Sequence, residues 1–497
     1  MLESTSARGA IPLALAATPL VVLVGLIALG AATVGMSGDL LLVAMLAAAA
    51  VAGAIAVRRG AGWDEIQRSA GEKFAAVLPV ILILLAIGLL VGTWVFSGTI
   101  PLLVAWGVRL VAPSLFLVTA FLATSLMSLA TGTSWGSAGT LGVALMGAAA
   151  ALGVPLPAAA GAIVSGAYLG DKMSPLSDTT NICALASGAR LFDHVRHMLW
   201  SATPSFVVCL VVYALAGGAH GTADGALPPE AVRLLADLDG AFRLDGWALL
   251  PLVVVLAGIV ARRPPALVLV ASSLTALVLG VAVQGFGAAD GITAAVHGFA
   301  PAMLAAKGFD AGAIGANGTL FHRLVERGGL ESMAPTLVVI LAAFLLAAAM
   351  DVSGALDRLL TALLARVRST FGLVASAMTA GATMVALTSH AGVTALVVGG
   401  MFAPAFRERE LAPRNLSRSL EDSVTVVEPL LPWTVSAIFM AKTLGVATLD
   451  YLPWALFCLG GPLFSLLIAA TFRFTGLGIR PLADDEPQSA SAPGRIQ

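Results

Sequence analysis

The run Gly166-Ala167-Tyr168-Leu169-Gly170-Asp171-Lys172-Met173-Ser174-Pro175-Leu176-Ser177-Asp178-Thr179-Thr180-Asn181 decides how the rest of the chain is read. It closes an apolar segment and carries two carboxylates, an ammonium, an amide and a cluster of Ser and Thr hydroxyls, with no return to ordinary loop composition. Asp171 and Asp178, seven positions apart, would share one face of a continuous helix, but Pro175 places a break between them. A competing reading, a solvated Asp171–Lys172 pair in a loop, sits poorly with the Ser, Thr and Asn residues that follow Asp178.

The surroundings make that stretch unusual. The 497 residues are 59% apolar and only 11% Asp, Glu, Lys and Arg, less than half the roughly 25% charge of soluble proteins. Mean hydropathy is +0.96. Apolar runs long enough to cross a bilayer recur from Ile11 to Thr471, and the expected fold is an all-α polytopic membrane protein of roughly 11–14 transmembrane segments. In such a solvent, a polar, broken backbone is tolerated only where protein buries it or it lines water. A carboxylate sequestered there holds a proton more readily than one in water, and can trade it for a metal ion.

Several function classes drop out. A net charge of −1 gives no field for nucleic acid, and Cys183, Cys209 and Cys458 lack disulfide or metal spacing. No GxxxxGK[ST] loop or HExxH motif occurs, so neither an ATP-driven pump nor an enzyme is expected, and no cofactor. The first apolar stretch, 11–34, is too long for a signal-peptide core and reads as a spanning helix. Basic clusters at Arg58, Arg59, Arg68 and Lys73, and at Arg262 and Arg263, belong in the cytoplasm, and propagation places both termini there, in a multi-pass protein of the cell membrane.

Sliding the chain by 256 positions lays Pro79 on Pro335, Leu89–Leu90 on Leu345–Leu346 and Ser97–Gly98 on Ser353–Gly354. Thr131 falls near Thr388, and Leu176–Thr179 resembles Leu420–Ser423. The organisation read from this is a two-helix segment at 1–70, a first repeat at 71–216, a linker with two helices and a long loop at 217–333, a second repeat at 334–475, and a disordered cytoplasmic tail at 476–497. An odd number of crossings between equivalent points inverts the second repeat, a construction of many secondary transporters, whose sites lie at the repeat interface.

Two further stretches carry candidate chemistry. Thr131-Gly132-Thr133-Ser134-Trp135-Gly136-Ser137-Ala138-Gly139-Thr140 offers hydroxyl oxygens to a small hard cation. The alternative is close helix packing through small residues. The segment from Leu416 to Thr434 holds Glu421, Asp422 and Glu428, of which Glu428 is flanked by the most apolar sequence. Glu421 reads equally well as a loop acid beside Arg418. His390 is the histidine inside an apolar run, balanced between a role and simple packing.

Thr131–Thr140, Gly161–Asn181, Asp193–Met198, and Leu411–Ser423 with Pro432–Trp433 resemble the NhaC family of sodium/proton antiporters, over about residues 70–450. The GDKMSPLSDTTN run is its most specific piece. The resemblance implies inverted repeats, broken helices and Na⁺/H⁺ exchange, with sodium and protons as substrates. Glu428, Thr434 and His390 depart from the family pattern, and some members exchange carboxylates such as malate and lactate, which supplies the alternative reading. The candidate ion and proton ligands are Asp178, Asp171, Thr133, Ser134, Asp422, Glu428, Thr131, Ser177, Thr179 and Asn181, with Asp178, Thr133, Ser134 and Asp422 converging on Na⁺. The expected partners are the two ions and the lipid bilayer, with a homodimer as a candidate assembly.

Overall fold

The computed structural model describes residues 11–35, 38–218, 227–309, 319–364 and 369–482; among them there is no strand ladder, only one antiparallel bridge between Leu411 and Pro481. Nine helices of the described residues are long and apolar enough to cross a membrane, and two bent pairs raise this to eleven. The chain is an all-α polytopic membrane protein.

The N-terminal helices α1 (Leu13–Thr33) and α2 (Gly38–Arg58) precede α3 (Trp63–Phe96). That helix starts well before the apolar run from 75, because Asp64 and Glu65 in its first turn suit the positive end of the helix dipole. Gly98 ends it, and α4 (Thr99–Leu110) follows, a 12-residue helix too short to be read as a bilayer crossing. Next come α5 (Phe116–Thr131), α6 (Ser134–Ser137), a π-helical turn Ala138–Gly142 and α7 (Val143–Ala151). The first half closes with α8 (Leu156–Met173), α9 (Asp178–Ser187) and α10 (Leu191–Gly218).

A linker of α11 (Pro229–Ala241), α12 (Leu250–Val260), α13 (Pro265–Ala282), α14 (Ala288–Val296) and α15 (Thr319–Val325) leads to the second half. There α16 (Ala334–Val352), α17 (Ala355–Leu364), α18 (Thr370–Thr388) and α19 (Ala391–Glu408) repeat the order of α3 to α7. The helix α20 (Pro413–Leu420) continues through a π-helical turn, Glu421–Thr425, and a 3-10 turn, Glu428–Leu430. Then α21 (Val435–Leu444), α22 (Thr448–Tyr451) and α23 (Leu456–Thr475) complete the chain's helices. Residues 476–482, read from sequence as tail, run back along α20, where Arg480 exchanges hydrogen bonds with Asn415 and Ala412. The tail beyond them, 483–497, lies outside the described residues.

The halves superpose in sequence at the helix breaks with a spacing of 257. Thr133 caps α6 with φ −147°, ψ 120°, and His390 caps α19 with φ −146°, ψ 120°. Ser177 and Thr434 cap α9 and α21, and Gly188 and Gly445 end them in the left-handed conformation. The structure therefore pairs Leu176–Thr179 with Trp433–Ser436, correcting the sequence pairing with Leu420–Ser423; the shared LxD pattern there was coincidence, since Asp422 sits within a helix and Asp178 opens one.

Lipid is as apolar as a leucine core, so helices are held by close approach and polar contacts rather than by a hydrophobic drive. Between α5 and α8 that approach is extreme: a Cβ at Gly166 would lie 2.1 Å from Thr124 Oγ1, and one at Gly170 2.3 Å from the Ser125 carbonyl. Ser128 Oγ donates to the Ala167 carbonyl across the same seam at 2.6 Å. The half-helices pack crosswise between repeats. Trp135 stacks on Phe439 of α21 with ring centroids 4.6 Å apart and donates from Nε1 to Ser436 Oγ, while Ala186 of α9 closes on Gly399 of α19.

Candidate ion-binding site

Helix α8 does not end at Gly170 as its apolar run suggests; it runs to Met173, so Asp171 and Lys172 are helical residues, both buried. Ser177 and Ser134 face the Asp171 carboxyl, Ser134 with both its hydroxyl and its amide. That amide is one of the unpaired donors at the start of α6. The second half repeats the arrangement. Glu428, at the position equivalent to Asp171, faces the hydroxyl and amide of Ser436 and the amide of Ala391, the first residue of α19. Each half thus sets one buried carboxylate against the N-terminal turn of its own half-helix, where the local field is positive. The two acids lie close enough for the charge of Asp171 to act on Glu428. Tyr168, one helical turn before Asp171, faces both acids and the Ser436 hydroxyl, and its own hydroxyl is buried with no hydrogen bond of ordinary geometry among the described residues.

A second charged group lies beside the first. Lys172 Nζ pairs with Asp422 Oδ1, and both side chains are wholly buried. Ser201 accepts from Lys172, Ser465 donates to Asp422 Oδ2 at 2.7 Å, and the Phe457 ring lies 5.7 Å from the ammonium. Burying two charges costs several kcal/mol each, a cost that their mutual pairing and the contacts from Ser201, Ser465 and Phe457 offset. Glu421, also wholly buried, receives a long contact from Thr179 Oγ1 on Oε1 and faces the Cys183 thiol, while its Oε2 has no hydrogen bond of ordinary geometry among the described residues.

The structure distributes the sequence candidates unevenly. Asp171, Ser134, Ser177 and Glu428 are buried together. Asp178 is exposed at the first position of α9, and Asn181, also exposed, donates to the Pro175 and Ser177 carbonyls. Thr133 spends its hydroxyl on the Gly136 amide, and Thr131 on backbone around the break. Ser137 and Thr140 bond carbonyls one turn back. Thr179 bridges Ser177 and Glu421. Thr133, Ser134, Asp178 and Asp422 accordingly do not form one group, and no cluster of three or more His, Cys, Asp or Glu suited to a metal occurs among the described residues. His390 accepts the Val393 amide on Nδ1, as a cap.

Sequence reasoning passed over Tyr168 and Ser436 and left Glu421 undecided. A signal for Glu421 was present: it precedes Glu428 by seven positions, two helical turns on one face.

Comparison with known proteins matches residues 166–472 to the Na⁺/H⁺ antiporter family, a span containing every buried acid above. The chain belongs to that family. It is 38% identical over 479 residues to a protein of Haemophilus influenzae named as an uncharacterized Na⁺/H⁺ antiporter, covering 96% of this chain and 99% of that one. It is 34% identical to the Na⁺/H⁺ antiporter NhaC of Alkalihalophilus pseudofirmus, with 84% of this chain and 86% of that one aligned. It is also similar, at 30% identity over 80% of this chain and 82% of the other, to the malate-2H⁺/Na⁺-lactate antiporter of Bacillus subtilis. Family membership thus reaches across cation and organic-acid exchange, and the site has to distinguish them.

Proposed function

We propose that this antiporter moves sodium out of the cell in exchange for protons, and that Asp171 and Glu428 are the carboxylates for which the two ions compete. The observation that carries this reading is the pair itself: two buried acids at equivalent positions of the two halves, each set on its own half-helix and acting on one another. Two bare carboxylates within each other's field in a low dielectric favour uptake of a cation or a proton over the empty site. Departure of sodium invites a proton, and departure of the proton invites sodium. An empty site, doubly negative, resists the conformational change that would expose it to the other side, and this resistance enforces exchange. Tyr168 supplies a neutral hydroxyl oxygen to either occupant.

The organic-acid reading needs a free basic group near the site. Lys172 is the candidate, and its charge is already met by Asp422. Inverted repeats with an elevator-like moving domain, and both termini in the cytoplasm, complete the picture.

The test is flux in proteoliposomes under an imposed pH gradient, with Na⁺, Li⁺, K⁺, malate and lactate as cargo. Sodium-driven proton movement that disappears in Asp171→Asn supports the reading. Wild-type sodium exchange in both Asp171→Asn and Glu428→Gln, or malate exchange in the absence of sodium movement, overturns it.

A further inference from the structure

Away from the acids, a cavity of about 370 Å³ lies where the linker meets the C-terminal end of α21. Arg327, which follows α15, lines it together with Lys442 and Thr443. Among the described residues the Arg327 guanidinium has no hydrogen bond or ion pair, and burial alone pulls its pKa below the ordinary arginine value, with no carboxylate acting against that. Thr443 is only 7% exposed, and its hydroxyl too lacks a partner among the described residues. One acid, Glu326, lines the cavity itself, and its carboxylate and that of nearby Glu331 are each met by a histidine. Glu326 Oε1 lies 3.2 Å from His322 Nδ1, and Glu331 Oε2 lies 2.8 Å from His297 Nδ1. The remaining wall is polar at His297 and Ser332 and apolar at Val91, Phe299 and Met333.

An unpaired guanidinium, a second cation and an unsatisfied buried hydroxyl aimed into one cavity form an anion cradle that lacks its anion. A planar fork matches a carboxylate in two parallel bonds. The apolar wall suits a short hydrocarbon stem. We propose that this cavity binds a small organic carboxylate, held by Arg327 with help from Lys442 and Thr443. The site is separate from the Asp171–Glu428 pair and does not depend on what that pair transports. It touches that pair through one element: α21 carries Ser436 at one end and Lys442 and Thr443 at the other.

The experiment is thermal unfolding of the detergent-solubilised full chain, titrated with sodium lactate, sodium malate, sodium phosphate or sodium chloride at matched Na⁺ and ionic strength. The expected result is a saturable rise in midpoint with lactate or malate beyond that with chloride. Arg327→Gln should raise the half-saturating concentration at least about tenfold, Arg327→Lys less, and Thr443→Val by a few-fold. Asp171→Asn should keep the response, which separates failure of this site from failure of the transport reading. No saturable rise, equal rises with phosphate or chloride, or an unchanged response in both Arg327→Gln and Thr443→Val overturns the proposal.

Discussion

The break at Gly132–Ser134 and the break at Ser389–Ala391 have one backbone and two chemistries. The caps agree within 1° in φ, both accept an amide three residues on, and the preceding Thr131 and Thr388 each bond across the turn. The side chains differ at nearly every position: Gly against Ser, Thr against His, Ser against Ala. What the two halves share is therefore a way of opening a helix without leaving its donors unpaired. What separates them is the set of groups offered to the ion, with Ser134 giving hydroxyl and amide in one half and Ala391 only an amide in the other.

That asymmetry can be attacked at its centre first. Asp171→Asn should reduce sodium-coupled proton flux at least about a hundredfold, the equivalent of roughly 3 kcal/mol lost with a buried charge. Glu428→Gln should cost as much if the two halves contribute equally, and a much smaller loss would show that repeat one carries the ion and repeat two only tunes it. Flux in proteoliposomes with immunoblot-matched protein reads both.

The ion pair between the halves comes next. Lys172→Met alone leaves Asp422 bare and should destabilise by roughly 3–5 kcal/mol, whereas Lys172→Met with Asp422→Leu should recover most of it. A double variant as unstable as the single one in thermal unfolding would mean that the pair does more than neutralise itself. At the α5–α8 seam, Gly170→Ala drives a methyl into the Ser125 carbonyl and should cost on the order of 1–3 kcal/mol in the same assay.

The smallest effects test the turns themselves. Thr133→Ala removes a cap and should cost about 1 kcal/mol. Ser389→Gly should gain a comparable amount, since Ser389 holds φ 57° where its counterpart is glycine. A loss in Ser389→Gly would mean that the serine has a role the backbone does not reveal.

Sequence made the polytopic all-α plan and the family plain, because few folds besides a helical bundle let a bilayer hold long apolar runs with a polar, proline-broken stretch between them. It also placed Asp171 and Glu428 among its candidate ligands. It favoured Asp178 over Asp171, and composition could not rank their burial: three residues past Pro175 the chain restarts a helix whose first residue is exposed although Thr180, two positions on, is buried. The hydroxyl ladder divides for a related reason. Ser and Thr satisfy orphaned backbone as readily as ions, and only Ser134 of that stretch is turned to the acid. The short helix α4 and the hydroxyl of Tyr168 were invisible because neither length nor residue type distinguishes them from ordinary membrane packing.

The Lys172–Asp422 pair sets an order on biosynthesis. Its partners are 250 residues apart in the chain, so Lys172 emerges from the ribosome and enters the membrane long before Asp422 exists. Through that interval α8 holds an uncompensated ammonium that the bilayer disfavours. The first half must therefore wait, loosely inserted or held by the insertion machinery, until the second half delivers the carboxylate. The nascent protein commits to its final packing late, and a ribosome stalled between the two residues leaves a chain suited to quality control rather than to assembly.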